Sequence, residues 1–191
     1  LRRSDLRDRT VVLFCSDNGP EQGAGTAGPF RGTKATLYEG GLRSPLIVWA
    51  PGLMPSSAVG GWDRESVLCT FDLAPSLLRI AGVPPPEGIA FDGLDVSDAL
   101  LGRRAFERPA PLFWRRPPDR NFVDGRSPPP LPDLAVRDGR WKLLCEYDGS
   151  GAELYDLDQD PGEATNVADR HPEIVRRLVA ALIEWHASLP P

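Results

Sequence analysis

Two apolar runs flanking a glycine-rich loop constrain this chain more than any other feature. The first run, residues 11–15, is rich in β-branched residues and stops at turn-forming residues 16–19, whereas the second run covers residues 46–50. Such runs, bounded by turn formers, are typical of strands buried on both faces of a parallel sheet covered by helices. The sequence therefore predicts an α/β core. Asp17 and Asn18 then stand at the carboxyl end of a strand, where open α/β sheets bind their ligands.

Asp17 and Asn18 are adjacent side chains with hard oxygen atoms. Calcium and magnesium prefer such oxygens, but calcium takes about six to eight of them, so this pair would supply only part of a site. Asp-Asn-Gly is also a common turn tripeptide, and an Asx-turn or a loop cap is the alternative interpretation.

The loop between the two runs has glycines at positions 23, 25, 28 and 32 and is followed by Lys34. Glycines let the backbone approach a ligand closely, and a lysine ammonium suits a tetrahedral oxyanion. The spacing does not fit a phosphate-binding P-loop, because Lys34 follows Thr33 instead of preceding a Ser or Thr. Arg31 and Arg43 could bind an anion as well, but we expect each of them to pair with Glu39 or to cap a loop.

The remainder of the chain divides into two parts. Residues 71–81 have the apolar spacing of a helix and lie within the expected α/β part, residues 1–110. In residues 111–191 we expect an antiparallel sheet, with strands near 134–137, 141–146 and 153–155, closed by a helix over 172–187. A turn is predicted at Asp138-Gly139, and a proline-rich loop over residues 115–132.

Composition excludes several classes of function. A net charge of −5 gives no footprint for nucleic acid, and no apolar run reaches the ~18 residues of a membrane span. The three cysteines, Cys15, Cys69 and Cys145, are far apart and are expected to be buried free thiols. Because the chain starts with Leu1 inside a charged segment, we expect it to be a fragment.

Several linked motifs carry a family resemblance. The segments S-D-N-G-P (16–20) and A-G-P-F-R-G-T-K (27–34) are followed by F-D-L-A-P-S-L-L-R-I-A-G (71–82), A-V-R-D-G-R-W-K-L-L (135–144) and E-L-Y-D-L-D-Q-D-P-G-E (153–163). In this order they resemble the C-terminal portion of an arylsulfatase-type sulfatase of the alkaline phosphatase superfamily. The resemblance covers nearly the whole chain apart from residues 115–132.

The resemblance implies functions for three residues. Asp17 and Asn18 would be ligands of the active-site divalent cation, usually Ca²⁺ with Mg²⁺ possible, and Lys34 would contact the sulfate and stabilise charge on the leaving oxygen. The substrate would be a sulfated small molecule or a sulfated carbohydrate. The nucleophile of this family is a formylglycine made within C/S-x-P/A-x-R, a motif absent from this chain. The chain alone is therefore not expected to turn over substrate.

Two alternatives stay open at the level of sequence. The first is a phosphodiesterase or phosphonate monoester hydrolase of the same superfamily, since a metal ion and a lysine serve phosphorus as well as sulfur. The second is a non-catalytic binding protein that keeps the scaffold without the nucleophile.

Overall fold

The computed structural model describes residues 5–116 and 131–190. The chain forms two compact units, the first from residues 1–15 and 45–109 and the second from residues 16–44 and 110–191. The sequence-based division had instead placed residues 16–44 with the N-terminal part. The helices and strands, in chain order, are β1 (Val12–Cys15), α1 (Glu39–Leu42), β2 (Leu46–Trp49), α2 (Leu73–Ala81), α3 (Ser97–Leu100), β3 (Leu112–Arg115), β4 (Leu134–Asp138), β5 (Trp141–Cys145), β6 (Glu153–Asp156) and α4 (Pro172–Ser188).

Strands β1 and β2 form a two-stranded sheet in the first unit. They pair antiparallel, with Val12 opposite Trp49 and Cys15 opposite Leu46. Their outer side chains are exposed in the described part of the chain; Phe14 is 65% exposed. The expectation that these strands are buried on both faces is therefore wrong, and their pairing is antiparallel although such runs are typical of parallel sheets. An apolar run indicates that its side chains need to be buried against another part of the protein. It does not show the direction of strand pairing or which part of the protein buries the run.

Helix α2 begins two residues later than predicted, because residues 70–72 form a 3₁₀ turn ahead of it. The buried carboxylate of Asp72 accepts hydrogen bonds from the backbone N–H groups of Cys69, at 2.7 Å, and of Leu94, at 2.9 Å, and it pairs with Arg108. These contacts tie the start of the helix to distant segments of the first unit.

The second unit is built on a four-stranded antiparallel sheet in the order β3-β4-β5-β6. Helix α4 packs on one face through its fully buried Leu178 and Leu182. Residues 37 and 38 pack on the opposite face, against Ala135, Leu144 and Tyr155. The predicted antiparallel sheet closed by a terminal helix is confirmed.

The hairpin turn between β4 and β5 differs by one position from the prediction. Asp138 still pairs with Trp141, so the turn residues are Gly139 and Arg140 instead of Asp138 and Gly139. Gly139 has φ of 57°, a left-handed conformation that glycine adopts without a steric penalty. The Asp-Gly dipeptide located the hairpin correctly, but it did not fix the register.

The three cysteines are free, as expected, but only Cys145 is buried. Cys69 is half-buried and Cys15 is exposed, since β1 is uncovered in the described residues. Most of the predicted proline-rich loop, residues 117–130, lies outside the described residues. No helix within residues 5–116 and 131–190 has the length and apolar character needed to cross a membrane.

Candidate active site

The turn that carries Asp17 and Asn18 rests on the backbone of Gly40 and Gly41. The Ser16 hydroxyl donates a 2.8 Å hydrogen bond to the Asn18 carbonyl, and the buried Gly19 N–H donates one of 3.0 Å to the Gly41 carbonyl. A Cβ at position 19 would lie 2.0 Å from the Gly40 carbonyl oxygen, so only glycine fits there. The turn thus presents Asp17 to solvent and leaves Asn18 half-buried.

The main chain of Lys34 is hydrogen-bonded to the segment that carries Asp17 and Asn18. Its N–H donates a 3.0 Å hydrogen bond to the Pro20 carbonyl, one residue beyond the turn. The structure therefore joins the Asp17 turn and the lysine loop through residues 19 and 20. The next residue, Ala35, has φ of 71°, an unfavourable backbone conformation for a residue with a side chain. Such strain persists only where the surrounding contacts impose it.

The ammonium of Lys34 is exposed and lies 3.2 Å from the carboxylate of Glu21, which is also exposed. An exposed ion pair of this kind is worth little, typically below about 1 kcal/mol, because water solvates both charges. Lys34 can therefore exchange Glu21 for another anion at small cost. This is the behaviour expected of a lysine that contacts an anionic substrate.

The two oxygen-bearing side chains of the turn fit a hard cation in chemistry but not in number. Asp17 supplies a carboxylate and Asn18 a carboxamide, both of which calcium accepts. Among residues 5–116 and 131–190, no group of three or more His, Cys, Asp or Glu side chains is placed to hold a metal ion. The described residues can thus supply part of a coordination sphere.

A buried group of charges that the sequence did not reveal lies beside this site. The Nζ atom of Lys142, in β5, is 2.9 Å from a carboxylate oxygen of Glu39 and 2.9 Å from one of Glu163. The Glu39 N–H donates a 2.6 Å hydrogen bond to the other Glu163 oxygen. All three side chains are at most 5% exposed. We call these three residues the buried triad.

Two arginines also lie close to the Glu39 carboxylate of the buried triad. Arg137 lies 3.7 Å and Arg43 3.8 Å from the second Glu39 oxygen. Burial raises the pKa of Glu163, while the Lys142 ammonium and the Glu39 N–H act in the opposite direction. The predicted pairing of Arg43 with Glu39 is confirmed. A signal for the triad was present in the sequence, since Lys142 is a lysine inside an apolar strand, but no sequence rule names its partners.

Arg31 makes its contacts with strand β6 and with Tyr38. Its guanidinium stacks 3.8 Å from the centre of the Tyr38 ring, donates a 2.8 Å hydrogen bond to the Tyr155 hydroxyl and lies 3.3 Å from Glu153. Burial and the Glu153 carboxylate raise the pKa of Tyr38 to about 12. Arg31 therefore joins the loop before Lys34 to strand β6. Its partners are not Glu39, but its guanidinium also donates a 3.4 Å hydrogen bond to the Glu163 carbonyl, in keeping with the alternative that it caps a loop.

Comparisons with known proteins agree with the motifs. Residues 1–83 match the family model described as Sulfatase. Human arylsulfatase A is 32% identical over 202 residues, which cover 91% of this chain and 37% of that protein. Pig N-acetylgalactosamine-6-sulfatase is 41% identical over 122 residues, covering 61% of this chain and 22% of the relative. This chain thus spans roughly a fifth to two fifths of the length of these relatives.

Solved structures share the fold. One from Bacteroides thetaiotaomicron, described in connection with the metabolism of multiple glycosaminoglycans, has a TM-score of 0.70 and 27% identity, covering 92% of this chain and 38% of its own. The crystal structure of Ps i-CgsB has a TM-score of 0.76 at 24% identity, covering 96% and 38%. These neighbours have the alkaline-phosphatase-like α/β fold, and sulfatases generally use a metal ion and a formylglycine. The matches in sequence and structure place this chain in the sulfatase family.

Proposed function

We propose that the full-length protein hydrolyses sulfate esters and that this chain supplies part of its active site. In this proposal Asp17 and Asn18 bind the divalent cation, calcium, and Lys34 contacts the sulfate group. The observation that carries it is that main-chain hydrogen bonds connect the Asp17 turn with the Lys34 loop. The Lys34 N–H donates to the carbonyl of Pro20, and the N–H of the neighbouring Gly19 donates to the Gly41 carbonyl.

The chemistry required is positive charge around a sulfate group. A bound calcium ion would polarise the sulfate oxygens and so favour attack at sulfur. The ammonium of Lys34 gives up its ion pair with Glu21 and donates a hydrogen bond to the sulfate. There it stabilises the negative charge that develops on the leaving oxygen. The carboxylate of Asp17 and the amide oxygen of Asn18 would hold the cation in place.

A nucleophile has to come from outside this sequence. Sulfatases use a formylglycine formed from a cysteine or serine in C/S-x-P/A-x-R, and Cys15, Cys69 and Cys145 lie outside any such motif. These cysteines are accordingly not assigned a catalytic role.

The substrate we propose is a sulfated carbohydrate. Support comes from the relatives named N-acetylgalactosamine-6-sulfatase, among them the pig protein at 41% identity and the human protein at 40% over 117 residues. An exposed lysine beside an exposed turn leaves room for a large polar substrate.

The test replaces Lys34 by alanine in the full-length protein, assayed with calcium. We expect kcat/KM for an aryl sulfate and for N-acetylgalactosamine 6-sulfate to fall by about 10²–10³, equal to about 3–4 kcal/mol, as for loss of one oxyanion contact. The matched control is Glu21→Gln, which removes the exposed partner and should leave kcat/KM within about threefold. A Lys34→Ala protein with near-normal kcat/KM, or a wild-type protein that cleaves only phosphodiesters, would refute the proposal.

A further inference from the structure

The Glu39–Gly41 segment touches both parts of the proposed site. On one side, the Gly41 carbonyl accepts the Gly19 N–H at 3.0 Å, which seats the Asp17 turn. On the other side, a Cβ at position 41 would lie 2.2 Å from the Thr36 carbonyl oxygen and 2.6 Å from that of Thr33, so the lysine loop packs directly on it. Whatever fixes this segment also fixes the separation between the Asp17 turn and Lys34.

The buried triad binds the Glu39–Gly41 segment through Glu39. Glu39 is bound through both its backbone and its side chain: the N–H donates to Glu163 at 2.6 Å, and the carboxylate meets Lys142 at 2.9 Å. Lys142 belongs to the central strand β5, whose backbone pairs on both sides with β4 and β6. The segment is therefore anchored to a strand that is paired on both sides, through side chains that are at most 5% exposed.

Stability alone does not require ions at this place. Replacing a buried ion group with well-packed apolar side chains is often neutral or stabilising, because charges pay a desolvation penalty when they are buried. A buried ion group instead restricts the positions of its partners, because each of its hydrogen bonds forms only over a narrow range of distances and angles.

We propose that Lys142 is a positioning residue of the sulfatase reaction. Through Glu39 and Glu163 it fixes the Glu39–Gly41 segment, and this segment sets the distance between the cation ligands and Lys34. The inference rests on the proposed function for the role of Lys34 and of the Asp17 turn. Lys142 itself touches neither substrate nor cation.

The test is Lys142→Met in the full-length protein, which removes the ammonium and keeps a side chain of similar length. With saturating calcium and 4-nitrophenyl sulfate, we expect kcat to fall at least tenfold while KM changes by less than threefold. Amide hydrogen exchange followed by mass spectrometry should accelerate at least tenfold in peptides covering residues 16–44. Lys142→Arg, which keeps a cation, should recover part of both losses.

The matched control is Leu178→Ala, which opens the opposite face of the sheet, where Leu178 is fully buried in the core beneath α4. At a temperature where both variants are folded, this control should change kcat and exchange in residues 16–44 by less than threefold. Equal effects of Lys142→Met and Leu178→Ala on both readouts would overturn the positioning role.

If Lys142→Met does not fold, Glu163→Gln decides the matter. It keeps the shape of the side chain and weakens the attraction for Lys142, so a threefold or larger effect on both readouts is expected, and no effect overturns the proposal. If the wild-type protein lacks sulfatase activity, the proposed function fails, while the exchange measurement still tests the positioning of residues 16–44.

Discussion

The buried triad predicts an unusual dependence of stability on pH. In Lys142→Met, the carboxylates of Glu39 and Glu163 would face each other without the ammonium that lies 2.9 Å from each in the wild-type protein. Removing one partner from such a buried group costs about 3–5 kcal/mol. We expect this cost to be larger at pH 8 than at pH 6.

The carboxylate that takes up a proton in the variant should be Glu163. In the wild-type protein Arg137 and Arg43 lie 3.7 and 3.8 Å from Glu39, and the substitution leaves both in the sequence, whereas Glu163 loses its cation. Burial already raises the pKa of Glu163 in the wild-type protein, and loss of Lys142 removes a contact that opposes this shift. The folded variant therefore binds a proton at a pH where the unfolded chain, with an ordinary Glu pKa near ~4.3, does not.

The sign of the effect follows from this difference in proton binding. Between the ordinary Glu pKa and the raised one, the folded state holds more protons, so the free energy of unfolding of the variant increases as the pH falls. The gain is about 1.4 kcal/mol for each pH unit below the raised pKa. The destabilisation caused by Lys142→Met should thus be smaller at pH 6 than at pH 8.

Urea unfolding of the full-length wild-type and variant proteins at pH 8 and pH 6 measures this change, since groups that titrate alike in both proteins cancel in the difference. Arg104→Met is the matched control, because its side chain is 80% exposed and its loss should cost less than about 0.5 kcal/mol at either pH. A cost of Lys142→Met that is equal at both pH values, or larger at pH 6, would refute the reasoning.

Two further predictions concern the cation turn and a buried thiol. Gly19→Ala places a Cβ 2.0 Å from the Gly40 carbonyl oxygen, so we expect overpacking to destabilise the protein by about 1–3 kcal/mol. In a calcium titration the same variant should bind the ion more weakly than the control Gly61→Ala. Equally tight calcium binding by the two variants would contradict this. Burial, followed by the nearby acidic residues, raises the pKa of Cys145 to about 12, so iodoacetamide at pH 8 should label it only after unfolding, as read by peptide mass spectrometry. Labelling of the native protein would contradict that expectation.

Local signals in the sequence were sufficient for the C-terminal sheet and its helix. Each of these elements depends on neighbours in sequence: the Asp138-Gly139 dipeptide marks a hairpin, and the apolar stripe of α4 is continuous from residue 174 to 185. The strand direction of β1 was not available in this way. A run of apolar residues records that a surface needs cover, whereas direction is set by how the chain returns through residues 16–44.

The buried triad shows why the support of the site could not be predicted from the sequence. Lys142 meets a glutamate 103 residues away, and the backbone N–H of Glu39 meets one 124 residues away. No local pattern encodes such pairings, because their geometry exists only once the sheet has formed. The pairing of Glu39 with Arg43 was expected, and it is confirmed, but Lys142 and Glu163 were not foreseen as its partners. Asp17, Asn18 and Lys34 are close in sequence and could be singled out. The residues that hold them in place come from the other end of the chain, so a substitution at Lys142 is expected to alter a site that it does not touch.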